Sequence, residues 1–482
     1  MSEAKRLHPV AIVLNAFKVL KEAFIPMVVL FFVQGGGIST WNYYEFIIPA
    51  VYLLGSIVYG TITWFRFTYR VEDDEIQIDS GLFVKKKRYI RLERIQSIDI
   101  TEGILQRLFS LVQVSIETAG STTGKAEAVL TAIPKEEGSF FQSLLKEKDL
   151  LQSDTDFSES SKTEQKENIL FRMTFPQLFF MAATSGGVGV VFAGAIALYS
   201  QIAEMINVEK VYNEVEKIIA SGVVLTLFFI VVGLLLAYII ATITILLKYA
   251  FFTLKKSGND LIITRGLLER RSLTIPVGRI QALRIVENLI RQPLGYATVY
   301  VETTSGSLEN MSNAKVMLFP IAKKKQLKEL LTTIGIDYQV DVPMTHVPNR
   351  SLIRYMFRQW IWTIPVSILL IYFFHLWGML SLLLPLLFTV YAFVCYKEAS
   401  WNLYERQLTF TYREWIDKQT YIVKREKIQS LVMRQSAFQK TRELGSIVAY
   451  HKTGLGAGEG KVIDLEEQDI YCIKRWFQGR TM

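Results

Sequence analysis

One pattern occurs three times along this chain, so whatever it folds into must be built three times over. The first copy carries Ile76-Gln77-Ile78, Gly81-Leu82-Phe83, Arg94-Ile95-Gln96-Ser97-Ile98 and Val114-Ser115-Ile116-Glu117-Thr118. The second carries Leu261-Ile262-Ile263, Gly266-Leu267-Leu268, Arg279-Ile280-Gln281-Ala282-Leu283 and Val299-Tyr300-Val301-Glu302-Thr303, displaced by 185 residues with no gap between landmarks. The third keeps Leu408-Thr409-Phe410 and Lys427-Ile428-Gln429-Ser430-Leu431, then drifts, so that Leu444-Gly445 meets Leu294-Gly295 only after a two-residue insertion. A period of this size signals copies of a domain; a solenoid repeats over roughly 20–50 residues.

Each copy follows a pair of apolar segments: about 24–41 with 46–65, 174–199 with 218–247, and 359–374 with 379–396. Each segment approaches the ~20 residues that a helix needs to cross a bilayer core. Half of the residues are apolar and the mean hydropathy is +0.26, which fits membrane segments. The expectation is an α+β membrane protein with six transmembrane helices in three hairpins, each followed by a small β domain closed by a helix. The net charge of +9 is unevenly placed. The connectors inside the hairpins hold only Lys210 and Lys217, so the basic residues put both termini and all three domains on the cytoplasmic side.

The organisation read this way is an amphipathic segment 1–23, hairpin 24–65, domain 66–146, polar linker 147–168, hairpin 169–247, domain 248–332, linker and interfacial helix 333–356, hairpin 357–397 and domain 398–478. Segment 1–23 reads either as a helix in the headgroup layer or as a cap on the first domain. The Ser-, Glu- and Lys-rich linker implies freedom for the first domain. In the domains, Val112, Val114 and Ile116 alternate with polar residues as a half-buried strand does, and helical stretches follow Pro134 and Pro320. Six or seven short strands and a closing helix suit a small barrel.

A hydrophobic hairpin followed by a strand, a Gly-Leu-Phe-type turn and an Arg-Ile-Gln-Ser-Ile-type strand resembles the bacterial pleckstrin-homology-like membrane proteins of the YdbS/YdbT type, with three units matching the longer type. The likeness covers nearly the whole chain and is weakest in the third copy, where Glu414 stands in place of the turn glycine of Gly81 and Gly266. The resemblance implies a pleckstrin-homology-like β-barrel or sandwich with a C-terminal helix. It also implies a non-enzymatic membrane protein without catalytic residues, connected with resistance to antimicrobial peptides.

Candidate contact residues are basic. Lys85, Arg270 and Lys418 occupy matching positions, extended by Lys86, Lys87 and Arg88 in the first copy and by Arg271 in the second. Near a membrane, each such side chain contributes about 1 kcal/mol toward an anionic surface; the alternative is an edge strand guarded by lysine. Arg350, Arg354 and Arg358 fall at i, i+4 and i+8 and form a basic stripe on the expected interfacial helix. Lys323, Lys324 and Lys325 read as a solvated helix face. Gln96, Gln281 and Gln429 recur as partners of buried backbone. Arg94, Arg279 and Lys427 read as surface partners of Glu93 or Glu426. Gly454, Gly456, Gly458 and Gly460 read as a flexible loop, while Gly233, Ala237 and Ala241 read as helix packing.

No phosphate-cradling loop, nucleophile elbow or paired-histidine metal motif is present in the sequence. Two cysteines, Cys395 and Cys472, imply no disulfide framework. The reading is therefore no enzyme, no cofactor and no nucleic acid. The partners expected are the lipid bilayer, a shorter pleckstrin-homology-like relative and a second copy of the chain. The function expected is a scaffold at the cytoplasmic membrane face supporting envelope integrity. A component that exports or flips amphipathic compounds is the alternative, although the spans hold few ionisable groups for ion coupling.

Overall fold

The computed structural model describes residues 4–17, 43–72, 75–81, 84–118, 127–141, 168–185, 223–304, 315–453 and 456–479. The described chain divides into two compact units, one running to Thr118 and over Glu127–Ile275, the other from Pro276 onward.

In the first unit, β1 (Lys5–Arg6), β2 (Thr68–Glu72), β3 (Glu75–Ser80) and β4 (Lys86–Arg91) form a four-stranded antiparallel sheet. A second sheet holds β5 (Ile95–Glu102), β6 (Leu111–Thr118), β7 (Ala128–Pro134), β8 (Asn168–Arg172), β9 (Thr253–Ser257), β10 (Asp260–Arg265) and β11 (Arg270–Pro276), in the order β7-β6-β5-β11-β10-β9-β8. Ile76, Ile78, Ile98, Val114, Ile116 and Leu130 point into one core, closed by Phe141 from the helix 135–141. Leu7 and Ala11 are buried in the same core, and Trp64 Nε1 donates to the Leu7 carbonyl at 2.7 Å, so the helix at 10–17 caps the first domain.

The second unit holds β12 (Ile280–Glu287), β13 (Tyr296–Thr303), β14 (Lys315–Lys323), β15 (Thr345–His346), β16 (Ser400–Tyr404), β17 (Gln407–Glu414) and β18 (Asp417–Lys424), ordered β14-β13-β12-β18-β17-β16-β15. A three-stranded sheet of β19 (Ile428–Arg434), β20 (Leu444–Thr453) and β21 (Gly456–Glu466) follows. The helix Glu467–Gln478 closes it by burying Ile470, Ile473 and Trp476. The helix Leu327–Ile334 begins after β14, which itself contains Pro320, so the second closing helix starts later than that proline implies.

Two features reorganise the picture drawn from sequence. First, each pair of apolar segments read as a hairpin is an insertion between two paired strands. β1, β8 and β15 precede the hairpins and pair with β2, β9 and β16, which follow them. A set of four strands, a sheet of its own in the first copy and part of a seven-stranded sheet in the other two, thus begins before each apolar pair, and the polar linker ends in a strand at Asn168. Second, consecutive copies share sheets. β5 of the first copy pairs with β11 of the second, and β12 of the second with β18 of the third. The first copy's second sheet is therefore hydrogen-bonded to its successor, which removes the freedom expected of the first domain. The linker itself lies outside the described residues.

Among the described residues, three helices are long and apolar enough to cross a membrane: Val231–Tyr249, Asn349–Leu376 and Met379–Glu398. The second segment of the first hairpin forms the helix Tyr43–Arg66. Of the other expected spans, 24–41 and most of 174–199 lie outside the described residues, the helix Phe175–Ala183 excepted. The basic stripe sits in the continuous helical run that enters the third hairpin, not on a separate interfacial helix. Ala241 is buried and Tyr238 donates to the Ala183 carbonyl at 2.9 Å, which joins helix Val223–Tyr249 to its neighbour.

The recurring glutamine marks a β-bulge. Register shifts fall between Ile95 and Ser97, Ile280 and Ala282, and Ile428 and Ser430, so one residue per copy is left unpaired. The turn glycines are needed for space: at Gly81 (φ 116°) and Gly266 (φ 105°) a Cβ would stand 2.0 Å from a carbonyl oxygen. The third copy dispenses with that glycine by shortening the turn to Trp415-Ile416 between the paired residues Glu414 and Asp417. Of the late glycine run, Gly454 lies outside the described residues, and Gly456, Gly458 and Gly460 are not in a loop but in strand β21, Gly456–Glu466. Gly458 and Gly460 make room for rings: a Cβ would come within 2.3 Å of His451 and 2.0 Å of Tyr421. Gly460→Ala should therefore destabilise the second unit by about 1–3 kcal/mol through overpacking, seen as a lower apparent melting temperature in detergent, whereas Gly278→Ala, facing open space, should shift it far less.

Candidate functional site

Polar residues are buried where consecutive copies share a sheet, and each junction holds an ion pair with a buried carboxylate. At the first junction, Asp99 on β5 is almost fully buried and accepts from Arg271 Nε on β11 at 2.7 Å and 3.0 Å. Burial alone would lower the Arg271 guanidinium, but the Asp99 bonds hold it above its ordinary value. Ser97 Oγ donates to buried Glu117 at 2.9 Å.

At the second junction, the positions of Asp99 and Glu117 are taken by Arg284 and Glu302. Arg284 Nε donates to Glu302 Oε1 at 2.5 Å, Nη1 donates to Tyr412 Oη at 2.7 Å and to Gln419 Oε1 at 2.6 Å, and Nη2 donates to the Glu459 carbonyl at 2.8 Å. His451 Nε2 stands 2.7 Å from Glu302 Oε2, and its Nδ1 stands 2.6 Å from Tyr421 Oη. A carboxylate only accepts, so Nε2 carries the hydrogen and Nδ1 accepts a hydrogen bond from the Tyr421 hydroxyl. Burial and the nearby Glu302 charge push the Tyr421 phenol up, which keeps it a donor. Burial would raise the Glu302 carboxyl, yet His451 and Arg284 bring it down to about 2. The network holds register: a one-residue slip would strand a buried guanidinium.

The basic residues singled out from sequence separate into several settings. Lys86, Lys87 and Arg88 lie on β4, the edge strand of its sheet, and are exposed. Lys85 stands just before it, 3.5 Å from Asp79, and Arg88 donates to the Glu127 carbonyl. Arg270 is exposed at the start of β11, while its neighbour Arg271 is turned into the junction. Lys418 lies on β18 opposite Glu287. In the stripe, Arg354 and Arg358 reach fully buried Asp464 at 2.9 Å and 2.8 Å, and Arg350 lies 3.5 Å from Glu466. Their charge is met by the third domain, so the stripe clamps a membrane helix to that domain. Lys427 Nζ reaches the Gly278 carbonyl at 3.3 Å, not Glu426.

A cavity of about 650 Å³ opens beside the end of the third hairpin, with Phe393, Val394 and Lys397 from the helix and His346, Lys418 and Thr420 from the sheet. Among the described residues, no group of His, Cys, Asp or Glu side chains is placed to hold a metal ion.

Comparison with known proteins gives these features a family. The Bacterial PH domain model matches residues 14–149, 193–334 and 360–481. The chain belongs to the Bacterial PH domain family. It is 35% identical over 491 aligned residues to the UPF0699 transmembrane protein YdbT of Bacillus subtilis (strain 168), across 99% of this chain and 98% of that protein. Over 89 residues it is 35% identical to the UPF0699 transmembrane protein YdbS of the same organism, covering 17% of this chain and 54% of that relative. The chain is thus a membrane protein carrying three bacterial PH domain matches, and the matches extend over apolar segments as well as strands.

Sequence reading missed the junction residues. The available signal was the unbroken 185-residue register that aligns Glu117 with Glu302 and Asp99 with Arg284 between the first two copies.

Glu302 supplies a test. Its carboxyl falls from an ordinary value of 4.5 to about 2, a difference of roughly 3 kcal/mol. The folded value is depressed, so this stability is present above pH 4.5 and lost as pH falls toward 2. Glu302→Gln should lower stability at pH 7 by about 3–5 kcal/mol by leaving Arg284 buried without its anion, and should flatten the acid limb of a plot of melting temperature against pH.

Proposed function

We propose that the chain is a non-enzymatic scaffold, with its bacterial PH domains at the cytoplasmic face of the cell membrane and its hairpins as anchors, and that it supports envelope integrity against membrane-acting peptides. The observation that supports this most is the sharing of sheets between consecutive copies. A reader of single headgroups gains nothing from hydrogen-bonding one copy's sheet to the next, whereas a platform needs fixed spacing. The strand pairs that bracket the hairpins carry this rigidity to the membrane anchors. Exposed Lys86, Lys87 and Arg270 add attraction to an anionic leaflet. The bilayer is then the main partner, with a shorter relative or a second copy as further ones.

A second reading, movement of an amphipathic compound across or along the membrane, is favoured by the cavity beside Phe393 and Val394, which offers apolar and cationic walls together.

Growth inhibition of a deletion strain across a panel of membrane-acting peptides separates these readings. Hypersensitivity to some peptides, restored by the intact gene and also by a gene carrying Val394→Trp to fill the cavity, is the expected result. Restoration by the intact gene alone would favour transport, and unchanged growth throughout would remove envelope defence.

A further inference from the structure

In each unit, separately, a group of exposed large apolar side chains lies where a shared sheet meets the end of a membrane helix. In the first unit, the turn between β10 and β11 is tied to the last turns of span Val231–Tyr249. Gly266 N donates to the Ala250 carbonyl at 2.8 Å and Leu267 N to the Leu247 carbonyl at 3.0 Å. Leu267 and Leu268 at the tip are exposed. Arg270 pairs with Glu102 at the end of β5, so the connector Ile104–Leu108 comes to the same end of the sheet. There Ile104, Leu108 and Phe109 are exposed, Leu108 at 76%. Lys248 and Arg265, the latter 4.9 Å over Tyr249, supply cations beside them.

In the second unit, the same construction uses different bonds. Glu398, the last residue of span Met379–Glu398, accepts from Arg413 Nε at 2.7 Å and from Gln292 Nε2 at 2.6 Å. Arg413 also donates to Gln292 Oε1 at 2.6 Å and to the Ile416 carbonyl. One cluster therefore ties both the β12–β13 connector and the β17–β18 turn to the helix end. Leu289, Ile290 and Leu294 of the connector are exposed, with Ile416 and Trp415 of the turn, the latter at 85%. Trp415 holds a φ of 53°, a conformation that turns in water give to Gly, Asn or Asp.

A span of this length ends in the headgroup layer, and side chains fixed within a turn of its end share that depth. Leu, Ile and Trp beside Lys and Arg are what that layer selects. We propose that both apolar edges are embedded in the interfacial layer of the bilayer that their own hairpins cross, so that the PH-like domains are inserted surface elements as well as tethered ones. The proposal goes beyond the scaffold reading and stands whether or not envelope defence holds.

The test is spin-label accessibility in the full chain, reconstituted in phosphatidylglycerol–phosphatidylcholine nanodiscs on a Cys395→Ala, Cys472→Ser background. Labels go at Leu268→Cys and Ile416→Cys, with controls at Asn259→Cys and Arg406→Cys, which lie in turns at the opposite ends of β10 and β17. Embedded edges give collision with oxygen several-fold above that with a water-soluble nickel chelate at 268 and 416, and the reverse at the controls. Equal nickel accessibility at all four positions would overturn the proposal, and so would low collision with both oxygen and nickel at 268 and 416, the result expected if a protein partner covers these edges. Preserved melting temperature of each labelled chain establishes that the fold is intact.

Discussion

The antiparallel pairing of β11 on β5 and of β18 on β12 is the constraint on which the rest depends. A small two-sheet domain leaves strand edges open, and open edges invite pairing with any chain nearby. Here the edge of one copy's second sheet is closed by the first sheet of the next copy. Backbone hydrogen bonds draw the strands together without choosing a register; buried side chains choose it. Asp99 with Arg271, and Arg284 with Glu302, Tyr412 and Gln419, allow one alignment of each pair.

The same constraint explains why the copies differ. β5 and β12 are internal strands and carry charges that find buried partners, whereas β19 ends its sheet and is largely exposed through Gln429, Ser430, Met433 and Arg434. At the other end of the series, β4 ends its sheet and carries Lys86, Lys87 and Arg88. The matching strand of the second copy, β11, has only Arg270 and Arg271 at its start before Leu273 and Ile275 are buried. Lysine-rich and polar edges discourage further addition, so the sequence of each copy suits its place in the series. This gives the lysines of β4 a structural reason to exist alongside any attraction to lipid.

What was legible in the sequence was whatever repeats locally. Strand alternation, the glycine turns and the apolar segments are short-range patterns, and the resemblance to the bacterial PH family rests on them. What was not legible depends on partners far along the chain. β1, β8 and β15 are too short to show a period, and each pairs with a strand beyond a membrane hairpin, so the hairpins read as leaders instead of insertions. The alternating glycines of β21 read as a loop because their purpose, space for Tyr421 and His451, comes from two other strands. Arg350, Arg354 and Arg358 showed helical spacing correctly, but Asp464, the anion that meets two of them, is more than a hundred residues away.

Inserting each hairpin between paired strands has a mechanical consequence that tethering by a single helix would lack. The chain enters the third hairpin from β15 and returns into β16, with Thr345 opposite Trp401 and His346 opposite Ser400. Both ends of the hairpin are therefore held at one face of the membrane by the sheet itself. Asp464 adds a side-chain clamp on the entering helix, and Glu398 ends the returning helix on Arg413. A tilt or displacement of this hairpin must move β15 and β16, then β17 and β18, and through the pairing with β12 the sheet of the preceding copy. The link from this anchor to the neighbouring copy is therefore a run of hydrogen-bonded strands and not a single flexible tether.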